Sequence, residues 1–266
     1  MSALWKICID DTADERGEKY VCAGALMGSK EDRSNFNKTW RRKLGSSPAI
    51  RYFHGKDVHK LSGEFAQFRD KVLYPPPLGM DAAIAKRNVM RAVIESSELI
   101  GFGAGVLVPE YQRIRDSHPR GKYFMPKSPF GYVLQEVIYR TTKELARYVG
   151  NLKVQFISDR SNRSSEYERV YADWKRWNPE TAMSMLALTH EDDKRHYGLQ
   201  AADVAASTVN LIFRSHVETG TVPKEYALSE RFWRIGRIDE KYLLSVLEHQ
   251  TPREAEFNVS ARATTV

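Results

Sequence analysis

An α/β fold built on a mixed sheet is what this sequence predicts, and three observations predict it. Two apolar runs, Leu4 to Ile9 and Tyr20 to Met27, flank a polar stretch from Asp14 to Lys19 that contains Gly17, the pattern of a β-hairpin. Strand-like and helix-like segments then alternate along the chain, which calls for parallel strands joined by crossover helices. The 266 residues are 42% hydrophobic and 28% charged, enough apolar material for a buried core and too much for wholesale disorder. We read residues 1–250 as a single α/β domain and 251–266, which lack periodicity, as a loose tail.

After the hairpin, Lys30 to Leu44 reads as a polar helix with Phe36 and Trp40 four apart on one face, broken by Gly45-Ser46-Ser47-Pro48. Ile50 to Phe53 reads as a third short strand. Pro75-Pro76-Pro77 reads as a surface loop, because the chain on either side is alike in composition. Ala82 to Ser97 reads as a helix and Leu99 to Val108 as a strand stopped by Pro109. Pro129 opens a helix whose stripe of Phe130, Val133, Leu134, Val137, Ile138, Leu145 and Tyr148 runs to Gly150. A strand from Leu152 to Ser158, a helix from Ser164 to Trp177, a strand from Met183 to Leu188 and a helix from about Gly198 to His216 complete the pattern.

Acidic residues at three places in the chain fit a bland core badly. Asp10 and Asp11 follow Ile7-Cys8-Ile9, at the expected end of the first strand. Asp159 follows Val154-Gln155-Phe156-Ile157-Ser158. Asp203 is the one charge between Leu199 and Phe213. A helix apolar nearly all round is buried, and an unpaired buried carboxylate costs several kcal/mol, roughly, unless a cation offsets it. Hard cations such as Mg²⁺ take oxygen ligands, and the carboxyl ends of parallel strands are where such sites gather. Plainer readings exist for each acid: a turn for Asp10 or Asp11, a helix entry for Asp159, and pairing with a core Arg or Lys for Asp203.

His54, Asp57 and His59 form a second cluster, with transition-metal binding, proton transfer and plain surface roles all open. Gly101-Phe102-Gly103-Ala104-Gly105 precedes no helix and lacks a following Lys-Ser or Lys-Thr, so it is no nucleotide loop. Lys and Arg number 41 against 34 Asp and Glu, an excess that favours polyanionic partners. Arg160 and Arg163 adjoin Asp159, while Lys194 and Arg195 precede the Asp203 segment, placing positive charge where an anionic substrate would need it. The other clusters, Lys38/Arg41/Arg42/Lys43 and Arg231/Arg234/Arg237, read as solvated faces. Cys8 and Cys22, the only cysteines, read as buried thiols in a reducing cytoplasm, close enough in hairpin order for a disulfide across it. No apolar run reaches membrane-spanning length, so the expected location is cytoplasmic, away from membranes.

Ile7-Cys8-Ile9-Asp10-Asp11-Thr12 followed by Tyr20-Val21-Cys22-Ala23-Gly24 resembles the opening of the uncharacterised "domain of unknown function 3800" family. Phe53-His54-Gly55-Lys56-Asp57 is similar to that family's Phe-His element, Gln155 to Asp159 to its strand-end Asp, and Leu199-Gln200-Ala201-Ala202-Asp203 to its Gln-x-Ala-Asp helix. The chain departs at Asp11-Thr12-Ala13, where the family has Glu-Ser-Gly. The resemblance, over roughly residues 4 to 215, implies an RNase H-like mixed sheet flanked by helices, antiparallel in its first hairpin and parallel later. It implies a two-metal nuclease site for Mg²⁺ or Mn²⁺, acting on DNA or RNA. The implied ligands are Asp10, Asp159 and Asp203, with Asp11 as a fourth. His54 is the implied proton-transfer residue, Gln200 the orienter of Asp203, and Asp57 a further outer residue. Glu110, just past the strand ending at Val108, stands in reserve.

Two other functions compete. A haloacid-dehalogenase-like phosphohydrolase needs Asp-x-Asp after its first strand, and here Thr12 takes the second place. A catalytically silent module of the same fold, binding nucleic acid or protein, is the non-enzyme alternative.

Overall fold

The computed structural model describes residues 4–13, 16–147, 152–219, 233–238 and 240–249. In chain order the elements are β1 (Leu4–Ala13), β2 (Tyr20–Gly28), α1 (Lys30–Leu44), α2 (Gly55–Lys60), a 3₁₀ turn (Gly63–Arg69), α3 (Leu78–Glu95), β3 (Ile100–Leu107), α4 (Val108–Ser117), α5 (Gly121–Phe124) and α6 (Pro129–Leu145). There follow β4 (Lys153–Asp159), α7 (Ser164–Trp177), α8 (Pro179–Ala182), β5 (Thr189–Glu191), α9 (Tyr197–Thr219), β6 (Trp233–Ile238) and α10 (Glu240–His249).

The sheet has the order β5-β4-β1-β2-β3-β6. β2 lies between β1 and β3 and is antiparallel to both, while β4 lies parallel to β1, β5 to β4 and β6 to β3. This is the mixed α/β sheet expected above: an antiparallel first hairpin, later strands parallel, helices on both faces.

Alternation along β1 sorts the two faces. Ile7, Ile9 and Ala13 face α6, in one core with Val21, Phe102, Val133 and Val137. Cys8 faces the other way, against Leu199 and Ala202 of α9. Beyond α9 lies a second core in which Phe36, Trp40 and Val93 pack with Ala201, Val204 and Ala205. Ser29 caps α1 through a reciprocal box with Asp32, and the buried Lys86 ammonium of α3 donates to the carbonyls of Lys43, Leu44 and Ser46 where α1 ends.

The small residues of α9 let it lie almost on the sheet. Gly24 of β2 sits opposite Asp10 of β1, and a Cβ added at Gly24 would stand 2.4 Å from the Ala206 backbone nitrogen. No side chain can swing aside there, since both sides are backbone. Gly24→Ala is therefore expected to cost about 1–3 kcal/mol, as overpacking does. Urea denaturation would show it, and a variant as stable as the parent would mean that α9 is free to lift.

Several expectations need correcting. β1 continues through Asp10 and Asp11 to Ala13, because it is paired on its β2 side along that length. Ile50 to Phe53 is not a strand; the Phe53 N–H is used by the Gln200 side chain. Met183 to Leu188 touches β4 only through a bridge from Met185 to Val154, and the true edge strand is β5. α3 starts earlier, at Leu78, and the Pro109 read as a stop opens α4. The register sets Cys22 opposite Thr12 and Cys8 opposite Leu26, so the two thiols are not cross-strand partners and both are free. The expected tail beyond Gln250, together with Tyr148, Gly150 and Arg231, lies outside the described residues.

Candidate metal centre

Cross-strand partners share a face, so Asp10 points to the same side as Gly24, toward α9. Asp203 lies three residues before Ala206, one helical turn along α9 from that contact. The two carboxylates therefore converge over the sheet face, not outside the strand end. Asp10 Oδ1 accepts the Asp11 N–H at 2.8 Å, and Asp203 Oδ2 accepts the Gly55 N–H at the start of α2. Ser207 reaches Asp203 Oδ1 only at 3.5 Å. Neither acid forms an ion pair with a described residue.

Burial raises the Asp10 carboxyl well above its ordinary range, and the negative charges of Asp203, Asp11 and Asp159 push it further. Burial raises Asp203 as well; the Gly55 N–H and His54 pull it down, and Asp193 pushes it up. Asp159 and Asp193 are both raised, first by desolvation, and each sits in the field of His54. The Asp193 N–H donates to Asp159 Oδ1 at 3.3 Å, tying these two at the margin of the pair.

Asp193 is the residue the sequence reading passed over. In His190-Glu191-Asp192-Asp193-Lys194-Arg195 it looks like one more solvated charge, and its only signal is its closeness to the Gln200 helix. Gln200, fully buried, makes the connection. Its amide oxygen accepts from Trp40 Nε1 at 3.0 Å and the Phe53 N–H at 3.2 Å, while its amide nitrogen donates to the carbonyls of Asp193 and Lys194. None of these bonds reaches Asp203. Gln200 instead clamps together the segments that carry His54 and Asp193. His54 stands at the N-cap position of α2 without a side-chain cap bond, and its Nδ1 lies 3.5 Å from Asp57, which also accepts from Ser62 at 2.6 Å. Asp57 thus braces His54.

The structure takes Asp11 out of the expected ligand set. It points to the opposite face, where Arg163 and Tyr167 of α7 hold it, and Arg163 stacks over Phe130 at 4.7 Å. Arg163 is committed to that pair and not to a substrate path. Lys194 lies over the Tyr52 ring at 5.4 Å, Arg195 is 3.8 Å from Asp192, and Arg160 reaches the His190 carbonyl at 3.5 Å. Glu110 rides on α4 beyond β3, two strands from β1 and so roughly 10 Å away by strand spacing.

Among the described residues no three His, Cys, Asp or Glu side chains stand together as a ready-made metal cage, the His54-Asp57-His59 alternative included. What the chain offers is a pair of hard oxygen donors. That suits Mg²⁺ or Mn²⁺, since Mg²⁺ is commonly held by one or two carboxylates with water and substrate phosphate completing its shell. A second alignment, Ser158 to His190 at 2.7 Å and His190 to Glu168 at 3.2 Å, has its serine fully buried and its acid exposed, the reverse of what a nucleophile needs.

No helix among the described residues is long and apolar enough to cross a membrane. No family model matches the sequence, and no curated protein matches it. Among solved structures the chain is similar to two of Bst-RNase HIII. One is a mutant protein, with 13% identity over 84% of this chain and a TM-score of 0.41. The other is a complex with Mn²⁺, with 12% identity over 98% of this chain and the same TM-score. The chain spans 57% of the first of these structures and 70% of the second.

Proposed function

We propose that this protein is a divalent-metal-dependent nuclease that hydrolyses phosphodiester bonds, and a member of the family its motifs resemble. One observation carries the reading: Asp10 and Asp203, nearly 200 residues apart in sequence, meet as a partly buried acid pair with which no described residue forms a salt bridge. The two would hold Mg²⁺ or Mn²⁺. A divalent cation bound there supplies Lewis-acid stabilisation of phosphoryl charge and a source of hydroxide near neutral pH. Asp159 and Asp193 enlarge the negative field at one side. His54, braced by Asp57 and lying in the field of Asp159, Asp193 and Asp203, is placed to move a proton. The small, close-packed residues of α9 fix the spacing of the acid pair, so the site costs little reorganisation.

The silent binding module is the reading favoured by the missing third ligand and by the turn of Asp11 toward Arg163. Calorimetric titration of Mn²⁺ into metal-free protein, Asp10→Asn and Asp203→Asn separates the two. Binding in the parent that both variants lose, with cleavage of an oligonucleotide that EDTA stops, is the expected result. No binding by the parent, with or without a short oligonucleotide, overturns the proposal.

A further inference from the structure

A cleft of about 230 Å³ opens between α2, α3 and α9, and its near end is the acid pair's own surroundings. Gly55 and Ser207, both in contact with Asp203, line it. From there its walls carry Lys56 and His59 on α2, Arg87 and Arg91 on α3, and Arg214 on α9, and no carboxylate lines it. Charge is therefore segregated, with acids at one end and cations along the walls. The His59 imidazole registers that field, lowered first by burial and then by the positive charge of Arg87.

The cleft follows one stripe of α9. Asp203, Ser207, Asn210 and Arg214 recur at helical spacing, and the run from Asp203 to Arg214 covers roughly 16 Å at 1.5 Å per residue. That is the length of about five nucleotides at the ~3.4 Å rise of a stacked strand. A recess takes one chain, whereas a duplex is met by a protruding helix or ribbon that enters its groove. The one phenyl ring in the lining, Phe53, is buried and offers no face for a base to stack on, which leaves the His59 imidazole as the one exposed ring beside Lys56, Arg87, Arg91 and Arg214. Arg91 pairs with Glu95 in a half-buried contact, and Arg214 pairs with Glu218 on the outer surface, where ion pairs are weak and exchange readily with a phosphate.

We propose that this cleft is the path of a single nucleic-acid strand leading away from Asp203, gripped by its phosphates and not by its bases. The inference rests on the nuclease reading and gives that site its substrate: one strand, taken without regard to sequence. It also moves the substrate path from Arg160, Arg163, Lys194 and Arg195 to the opposite side of Asp203.

The test is fluorescence anisotropy with a twelve-nucleotide oligothymidylate in EDTA across a range of NaCl, so that neither metal nor cleavage contributes. The double variant Arg87→Gln/Arg214→Gln is expected to flatten the slope of log K against log salt by about 1.4, at ~0.7 per lost phosphate contact on a single strand. Lys38→Gln on the exposed face of α1 is expected to leave the slope alone. Unchanged slope in the double variant, an equal flattening in Lys38→Gln, or no binding by the parent overturns the proposal. A polyglutamate of matched charge that competes equally would reassign the cleft to an acidic protein segment. The Mn²⁺ titration of Asp203→Asn runs separately. If Mn²⁺ binding is lost there while the cleft variants bind oligonucleotide like the parent, the strand path falls and the nuclease reading stands.

Discussion

Asp10→Asn and Asp203→Asn are each expected to lower metal-dependent cleavage by about 10³-fold or more while leaving the metal-free protein more stable at pH 7 than the parent. The kinetic figure follows from removing a metal ligand worth several kcal/mol, roughly, at about 1.36 kcal/mol per factor of ten. The stability gain follows from linkage. Both carboxyls have folded pKa values raised above the ordinary 3.8, so between that value and the raised one the folded state binds more protons than the unfolded state. Stability from these groups is thus fully present below about pH 4. It is lost as pH rises through the folded pKa. Asparagine carries no such penalty, and its amide oxygen can still accept the Gly55 N–H. The variants should therefore melt above the parent at pH 7, by about 2–4 °C for each kcal/mol recovered, with the gap closing near pH 4. Mn²⁺ should reverse the order, because only the parent gains binding energy from it. A variant that melts below metal-free parent at pH 7 would show that the acid pair is structural glue.

Gln200→Leu is the second large effect. The substitution keeps the bulk of the side chain and removes both ends of its amide, leaving Trp40 Nε1 and the Phe53 N–H without an acceptor inside the protein. At about 1–3 kcal/mol for each unsatisfied buried donor, the expected loss is about 2–6 kcal/mol, a large share of a typical domain's stability. Gln200→Glu divides that loss, since a carboxylate still accepts from Trp40 and Phe53 but cannot donate to the Asp193 and Lys194 carbonyls. Guanidinium denaturation of the three proteins gives the comparison. A change under about 0.5 kcal/mol in Gln200→Leu, the range of ordinary surface substitutions, would mean that the clamp does not hold the segments together.

The sequence made some of this legible and hid the rest for physical reasons. α1 and α7 were readable to the residue, because both carry a periodic apolar face and α1 is bounded by its Ser29 cap and by Gly45. β5 was not, because an edge strand of three half-buried polar residues shows no apolar alternation, while the apolar run before it has only one bridge to a neighbour. Asp10 and Asp203 stood out as carboxylates in apolar surroundings. Asp193 did not, since a charge among charges carries no contrast. The Gly55 N–H is backbone and writes nothing into the side-chain pattern. The cleft was invisible for a third reason: Lys56, Arg87 and Arg214 come from segments far apart in sequence and meet only through packing.

The proposed metal site gives Asp203 two jobs with one group. His54 offers no side-chain cap to α2, and the Asp203 carboxylate, reaching over from α9, accepts the first N–H of that helix instead. A cation drawn to the same oxygen competes with that N–H, and α2 carries Lys56 and His59 on the cleft wall. On the proposed reading, ion and strand would be energetically coupled through a single atom. Reciprocity then requires that whatever factor the ion applies to the strand's affinity, the strand applies to the ion's. A protein wired this way would read its two ligands together, and its apparent metal affinity would be a property of what lies in the cleft.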